Sequence, residues 1–337
     1  MHARPSIKDI ARRAGVAPST VSRALAGSTR VSAATRDRIK AIAADLNYTP
    51  SAAARSLVTG ASRTLGIIVP GLSDPYIAAV MEGIEGASAA ASYQHVIANT
   101  DGDPAREIQA VQMLLGYNLD GLIILSSRAG KAYIGILPTL DIPVVFVNST
   151  QIGDSVLSVA TDNEHGGWSG TKHLLDLGHK RIAYLGGPSL GRSQQARAAG
   201  YRRAIQEARI TFDPNLMLPG DGSIQAGQNA LNAILSQPER TRPTAVCCYN
   251  DLCALGLLHQ AHRQGLQIPE SLSVIGFDNI PIAAISAPPL TTIEQRTSEL
   301  GQLAANSIFA SLQEEPVADI RLRGELILRA STCPPNN

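Results

Sequence analysis

Cysteine is scarce in this 337-residue chain, and its placement excludes more than its number does. Cys247, Cys248, Cys253 and Cys333 include no C-x-x-C pair, and two of them are neighbours in an apolar run, so neither a zinc centre nor a disulfide framework is expected. Buried free thiols are the expectation. Long apolar runs are also missing: nothing approaches the roughly 18 residues of a membrane span, and the first residues lack the apolar stretch of a signal peptide. The expected location is therefore the cytoplasm, with no membrane partner. His165, His173 and His179 are scattered, which argues against a metal site, and Gly186 and Gly187 before Pro188 lack the G-x-G-x-x-G setting of a dinucleotide site. No nucleophile stands beside a base and no phosphate loop occurs, so neither catalysis nor a cofactor is expected. Aromatic residues amount to only 4%, with one tryptophan, Trp168, which reads as packing on a helix face.

Charge is balanced overall, +1 at pH 7, yet divided along the chain. Residues 1–63 hold 11 Lys or Arg against 3 Asp or Glu, and the remainder holds 18 against 25. A basic head on an acidic body is a phosphate-binding footprint. The length exceeds what one compact core supports and fits a small head with a two-part body.

The head carries legible helix signals. Ser6 starts a helix with Asp9 at the capping-box position, and Ile7, Ile10, Ala11 and Ala14 recur at helical spacing until Gly15 turns the chain. Pro18 suits the first position of a second helix, in which Ser19, Thr20, Ser22 and Arg23 are interleaved with apolar Val21 and Leu25. This is a helix-turn-helix pattern, and short polar groups with an Arg on its second helix suit base edges in a DNA major groove. Ser32 caps a third helix expected to run through Asn47, ended by Tyr48, Thr49 and Pro50. The next segment, SAAARSLVT over 51–59, is shorter than the roughly 12 residues an isolated helix needs in water, so it is expected to order only on a partner.

The segments GVAPSTVSRALAG and VSAATRDRIKAIAADLNYTPSAAARSL resemble the head and hinge of the lactose-repressor (LacI/GalR) family. The resemblance continues through LGHKRIAYLGGP, the NDLCALG run at Asn250, the VIGFDN run at Val274, PPLTTIEQ and ILRAST. It implies an all-α helix-turn-helix head over 1–50, a hinge helix over 51–60, and a two-lobed α/β body over 61–337 of the type I periplasmic-binding-protein kind. Lobe 1 would take about 61–161 and 292–330, and lobe 2 about 162–291. For DNA, the resemblance implies contacts from Ser6, Pro18, Ser19, Thr20, Ser22, Arg23, Ser32, Thr35 and Tyr48 in the head. In the hinge it implies Ser51, Ala54, Leu57 and Val58, with Leu57 wedging between base steps from the minor groove.

The body's own pattern agrees. From Thr64 the runs TLGIIVPG, YQHVIANT, DGLIILS and IPVVFVN alternate with helices from Pro75 and Pro104. From Ser158 a second set, RIAYLGG, TAVCCYN and SVIGFDN, alternates with helices over 164–177, 193–208 and from Asp251. Such alternation predicts parallel sheets covered by helices, one per lobe. LTTIEQ, a helix from Ser298 and a last strand near 322–329 remain, and the resemblance returns them to lobe 1.

Ligands of open α/β sheets bind beyond the carboxyl ends of the strands. Those positions hold Ser73 and Asp74, Asn148, Thr161 and Asp162, Asn250 and Asp251, Asp278 and Asn279, and Gln295, with Arg197 on the helix after RIAYLGG. Carboxylates, amides and an Arg converging on one cleft suit vicinal hydroxyls. Asp74, Asp162 and Asp251 read equally well as turn formers or helix caps. The resemblance puts Arg197, Asn250 and Asp278 foremost among effector contacts, followed by Asn148 and Gln295, and Tyr76 is the candidate stacking ring. Asn148 stands where sugar binders of the family often carry Asp.

The expected function is a transcriptional repressor, a homodimer on double-stranded operator DNA whose affinity a small-molecule effector controls. Few aromatic residues favour a sugar, sugar acid or polyol over a purine. The body alone would also suit a free sugar-binding transport protein, which the head and the missing signal peptide disfavour, and an enzyme on a doubly wound fold lacks a reactive group. The closing CPPNN carries no leucine heptads, so a dimer is expected rather than a tetramer.

Overall fold

The computed structural model describes residues 5–25, 28–48, 61–149, 156–189 and 191–336, in two compact units, Met1–Ser62 and Arg63–Asn337. The hinge positions Ser51, Ala54, Leu57 and Val58 lie outside the described residues.

In the first unit, helices α1 (Ile7–Ala14), α2 (Pro18–Leu25) and α3 (Ala33–Asp45) close around buried Ile10, Val21, Ala24 and Ile39. Asp9 accepts the backbone N–H of Ser6 at 3.0 Å and its hydroxyl at 2.6 Å, which fixes the start of α1. Gly15, in the left-handed region at φ 65, ends it. Helix α3 stops at Asp45 rather than running through Asn47, because Asn47 itself turns left-handed at φ 49. Arg13 reaches Asp45 at 2.7 Å and ties the first helix to the end of the third.

The second unit contains two parallel sheets. The larger joins β1 (Thr64–Val69), β2 (Gln94–Asn99), β3 (Gly121–Leu125), β4 (Val144–Val147), β5 (Leu157–Thr161) and β11 (Ile320–Leu322), in the order β11-β5-β4-β3-β1-β2. Its central strands are apolar on both faces because helices cover both: α4 (Pro75–Ala90), α5 (Pro104–Leu115) and α10 (Thr297–Leu312). The smaller joins β6 (Ile182–Leu185), β7 (Met217–Leu218), β8 (Ala245–Cys248) and β9 (Ser273–Ile275), in the order β7-β6-β8-β9. Around it pack α6 (Asn163–Asp176), α7 (Arg192–Glu207), α8 (Ile224–Leu235) and α9 (Asp251–Arg263). Among the described residues no helix is long and apolar enough to cross a membrane.

Two elements differ from expectation. Helix α8 lies where the sequence signals only loop: its Ser223 cap and apolar Leu231 and Ile234 follow a Gly-rich GDGS segment. The single closing strand expected near 322–329 is two. β11 adds to β5 in the large sheet, and after Gly324 the chain reverses so that β12 (Glu325–Ile327) pairs antiparallel with β10 (Thr292–Glu294). The tail then returns to the small sheet, where the Ser331 hydroxyl donates to the Val274 carbonyl at 2.6 Å and accepts the Thr291 N–H at 2.8 Å.

Three helix pairs meet at backbone contact, each through one glycine from either partner: Gly83 and Gly301 for α4 and α10, Gly167 and Gly200 for α6 and α7, Gly227 and Gly256 for α8 and α9. A Cβ at Gly200 would stand 2.0 Å from the Glu164 carbonyl oxygen, so the interaxial distance depends on the missing side chains.

Candidate ligand-binding site

The carboxyl ends of both sheets face one narrow cleft of about 110 Å³, room for a small compact ligand in this arrangement of the lobes. Strand order delivers its lining: Ser126 and Arg128 follow β3, Asn148 follows β4, Tyr249 and Asn250 follow β8, and Asp278 follows β9. Asn148 at φ 48 and Asp278 at φ 121 hold backbone conformations that side chains resist, a cost of about 1–3 kcal/mol each that surrounding contacts must offset.

Arg197, on α7, is the centre of the site. Its Nε donates to Asn163 Oδ1 at 2.8 Å and its Nη1 to the Tyr249 carbonyl at 2.6 Å, while Nη1 stands 3.7 Å from Asp278 Oδ1. The guanidinium plane lies 3.6 Å from the Phe277 ring centroid, so this buried cation is gripped on face and edge. Among the described residues, Arg197 Nη2 and Asp278 Oδ2 have no protein partner. A free donor beside a free acceptor is a two-point site for adjacent hydroxyls. Burial pushes the Asp278 carboxyl well above the usual carboxylate range, with the Arg197 charge pulling it back, and burial likewise raises Asp74.

A polar relay runs under the cleft from lobe to lobe. The Asn148 amide donates to the Tyr76 hydroxyl and, at 3.2 Å, to Gln295 Oε1; the Gln295 amide donates to Asp278 Oδ1, which faces Arg197. Asn148 Oδ1 accepts the Thr161 N–H at 2.7 Å.

The cleft thus brings together Asp74, Tyr76, Asn148, Arg197, Asn250 and Asp278. Gln295 lies fully buried beneath its floor, and Thr161 lines a neighbouring hollow that also touches Asn148. Ser73 is exposed and outside the lining, because the turn before Pro75 carries it away from the cleft while the next residue, Asp74, caps α4 by accepting the Tyr76 N–H at 2.9 Å. Asp162 caps α6 through the His165 N–H at 3.1 Å. Asp251 is fully buried and accepts the Ile280 N–H at 2.9 Å and the Thr292 hydroxyl at 2.6 Å, so it braces the chain beyond β9 rather than facing ligand. Trp168 is not part of the cleft lining, its indole N–H donating to Glu207 at 2.6 Å and Arg203 lying over its ring. Three cysteines are buried free thiols, with burial pushing Cys247 up to about 12, whereas Cys333 is only partly buried.

The comparisons with known proteins agree with this architecture. Residues 6–51 match the bacterial regulatory proteins of the lacI family, and residues 171–332 match a periplasmic binding protein-like domain. The HTH-type transcriptional repressor PurR of Aliivibrio fischeri strain MJ11 is 33% identical over 311 residues, 92% of either chain. The chain belongs to the lacI family of bacterial regulatory proteins. The ribose operon repressor of Haemophilus influenzae is 34% identical over 328 residues, 97% of this chain and 98% of that one. The crystal structure of the lac repressor dimer bound to operator and the anti-inducer ONPF superposes with a TM-score of 0.87 at 27% identity, over 98% of this chain and 100% of that one. This lacI-family protein is accordingly a DNA-binding transcriptional repressor and not an enzyme.

On its head, Pro18, Ser19 and Arg23 are exposed along α2, with Thr20 and Ser22 half-buried, and the Arg23 side chain has no ion pair among the described residues. Ser6 and Ser32 cap helices, the Ser32 hydroxyl accepting the Thr35 N–H at 3.3 Å, and Tyr48 packs half-buried on the head core. In the lacI-family body, the lining also includes residues that the sequence does not single out, among them Ser126, Arg128, Ser193, Asp221 and Tyr249. Tyr249 directly precedes Asn250, and Arg128 follows the end of β3, so the strand-end rule could have found both. Asp221 follows β7, a strand of two residues with no periodic signal. Glu107, buried in α5, positions the Arg128 loop by accepting the Arg128 N–H at 3.1 Å and the Tyr133 hydroxyl at 2.7 Å.

Proposed function

We propose that this repressor is controlled by a small polyhydroxylated effector, a sugar, sugar acid or polyol, held in the cleft between its lobes. The observation that carries the reading is the unpartnered pair formed by Arg197 Nη2 and Asp278 Oδ2, set on a buried relay that already links the lobes. Two adjacent hydroxyls satisfy both groups at once, whereas an apolar ligand leaves them desolvated and unpaired. That one relative is a ribose operon repressor supports the class.

In this reading residues 1–50 form the DNA-binding head, 51–60 the hinge and 61–337 the effector and dimerisation region. The protein acts as a homodimer on a partly palindromic operator, as the lac repressor dimer does. Arg23 and Ser19 read bases, and Leu57 wedges a central base step. Asp74, Tyr76 and Asn148 hold the effector from lobe 1 and Arg197, Asn250 and Asp278 from lobe 2, so binding favours one lobe angle. Operator affinity then changes with effector, and effector affinity changes with operator by the same factor.

A thermal-shift panel of D-ribose, D-glucose, D-gluconate, mannitol, cytidine and hypoxanthine tests it. A polyhydroxylated compound should raise the midpoint of the body and alter release of a selected operator fragment, and Arg197→Ala or Asp278→Asn should abolish both effects. A response confined to hypoxanthine, or one undiminished in both variants, overturns the reading.

A further inference from the structure

Tyr249 joins Tyr76 as an aromatic residue of the cleft. The Tyr249 ring lines the cleft and packs in part on the core of the smaller sheet, while it also rests on bare backbone: a Cβ at Gly187 would stand 2.4 Å from Tyr249 Cγ, and one at Gly222 would stand 3.2 Å from Cδ1 and Cε1. No side chain larger than hydrogen fits at Gly187 while the ring keeps its place. Gly187 has no need of glycine for its dihedral angle, since its φ is not in the left-handed region, so the backbone itself would accept alanine.

The rest of the ring's surroundings are those of a ligand contact. Arg197 lies 4.7 Å from the ring centroid and is bonded to the Tyr249 carbonyl, which locks the ring beside the Arg197–Asp278 pair. The phenol hydroxyl makes no hydrogen bond among the described residues, although it is set among the charges of Arg197, Asp278, Arg128 and Asp74. Arg128 and Asp74 belong to lobe 1 and Tyr249 to lobe 2, so this hydroxyl addresses the opposite lobe across the space the effector would fill. Tyr249 is only partly buried, so its hydroxyl stays open to whatever fills the cleft.

We infer that Tyr249 is a specificity-determining residue of the cleft, its ring the wall against which the effector's carbon skeleton lies and its hydroxyl a hydrogen-bond partner of the effector, and that Gly187 and Gly222 form the bed that seats it. This inference rests on the effector reading above. It assigns Gly187 a positioning role that acts only through the ring.

The test is calorimetric titration of the full-length protein with whichever of D-ribose, D-glucose, D-gluconate, mannitol, cytidine or hypoxanthine gives the largest thermal shift. Tyr249→Phe keeps the ring and should weaken binding by roughly tenfold, the size of one lost hydrogen bond. Tyr249→Ala should weaken it further. Gly187→Ala should weaken binding more than tenfold in the parent and leave it unchanged in a Tyr249→Ala background, a non-additivity that a general packing defect does not produce. Melting midpoints and affinity for the selected operator fragment report that each variant is folded. If Tyr249→Phe and Tyr249→Ala both bind within twofold of the parent, the assignment of Tyr249 is overturned; equal losses from Gly187→Ala in both backgrounds overturn the seating role. If the unsubstituted protein binds none of the six compounds, the effector reading itself has failed.

Discussion

Replacing Gln295 by Met separates the relay beneath the cleft from the packing around it. Gln295 is fully buried and makes two side-chain hydrogen bonds, donating to the Asp278 carboxylate and accepting from Asn148 at 3.2 Å. Met has nearly the same length and volume, so the cavity term is small and the change is mainly one of polarity. A bond to a charged group contributes about 1.5–3 kcal/mol and a neutral one about 1 kcal/mol. Asn148 keeps Tyr76 as a partner and Asp278 keeps Arg197, so neither is orphaned outright, and the lower half of that range applies. The expected loss is about 3 kcal/mol, which for a body of this size is a fall of roughly 6–12 °C in Tm. Differential scanning calorimetry of the full chain reads it directly, and the same variant should bind the responding panel compound more weakly, because Asp278 is no longer aimed from lobe 1. A Tm within 2 °C of the parent together with unchanged effector binding would refute the view that Gln295 couples the lobes.

Two further outcomes are expected. Gly200→Ala places a methyl 2.0 Å from the Glu164 carbonyl oxygen and should cost at least about 2 kcal/mol by forcing α6 and α7 apart, whereas Gly86→Ala meets nothing within 4 Å on exposed α4 and should stabilise by about 0.5–1 kcal/mol; equal effects in urea titrations would contradict the glycine-contact account. Burial raises the Asp251 carboxyl to about 6 from 3.8, so the folded state binds this proton more tightly than the unfolded chain. Its contribution favours the fold below about pH 4 and is lost as pH rises through about 6, up to about 2–3 kcal/mol. Asp251→Asn should therefore lose less stability than the parent between pH 4.5 and 7.5, and parallel pH profiles would argue that the carboxylate is not desolvated.

Much of this architecture was legible before the structure because it depends on signals a few residues apart. Pro18 opening α2, Ser6 with Asp9 at the start of α1, and apolar runs such as TLGIIV and GLIIL act through local dihedral preference and the spacing of buried side chains. The strand-end rule then found the neighbourhood of the cleft, and Asp74, Asn148, Arg197, Asn250 and Asp278 lie in it. It also selected Ser73, which a one-residue difference in turn position sends to solvent, and Asp251, whose carboxylate the β9 loop consumes.

By itself the sequence determined that a basic helix-turn-helix head precedes two parallel α/β sheets, since charge distribution, capping and periodicity are written in contiguous segments. Tertiary structure alone decided which polar groups meet: Asn148 and Gln295 stand 147 positions apart, and Arg197 is left with a free Nη2 only because Asn163, Tyr249 and Asp278 occupy its other edges. Such partnerships depend on the angle between two lobes and on helices brought to backbone contact by paired glycines. No local preference encodes those distances, because each is set by the packing of segments that the chain separates by tens to hundreds of residues.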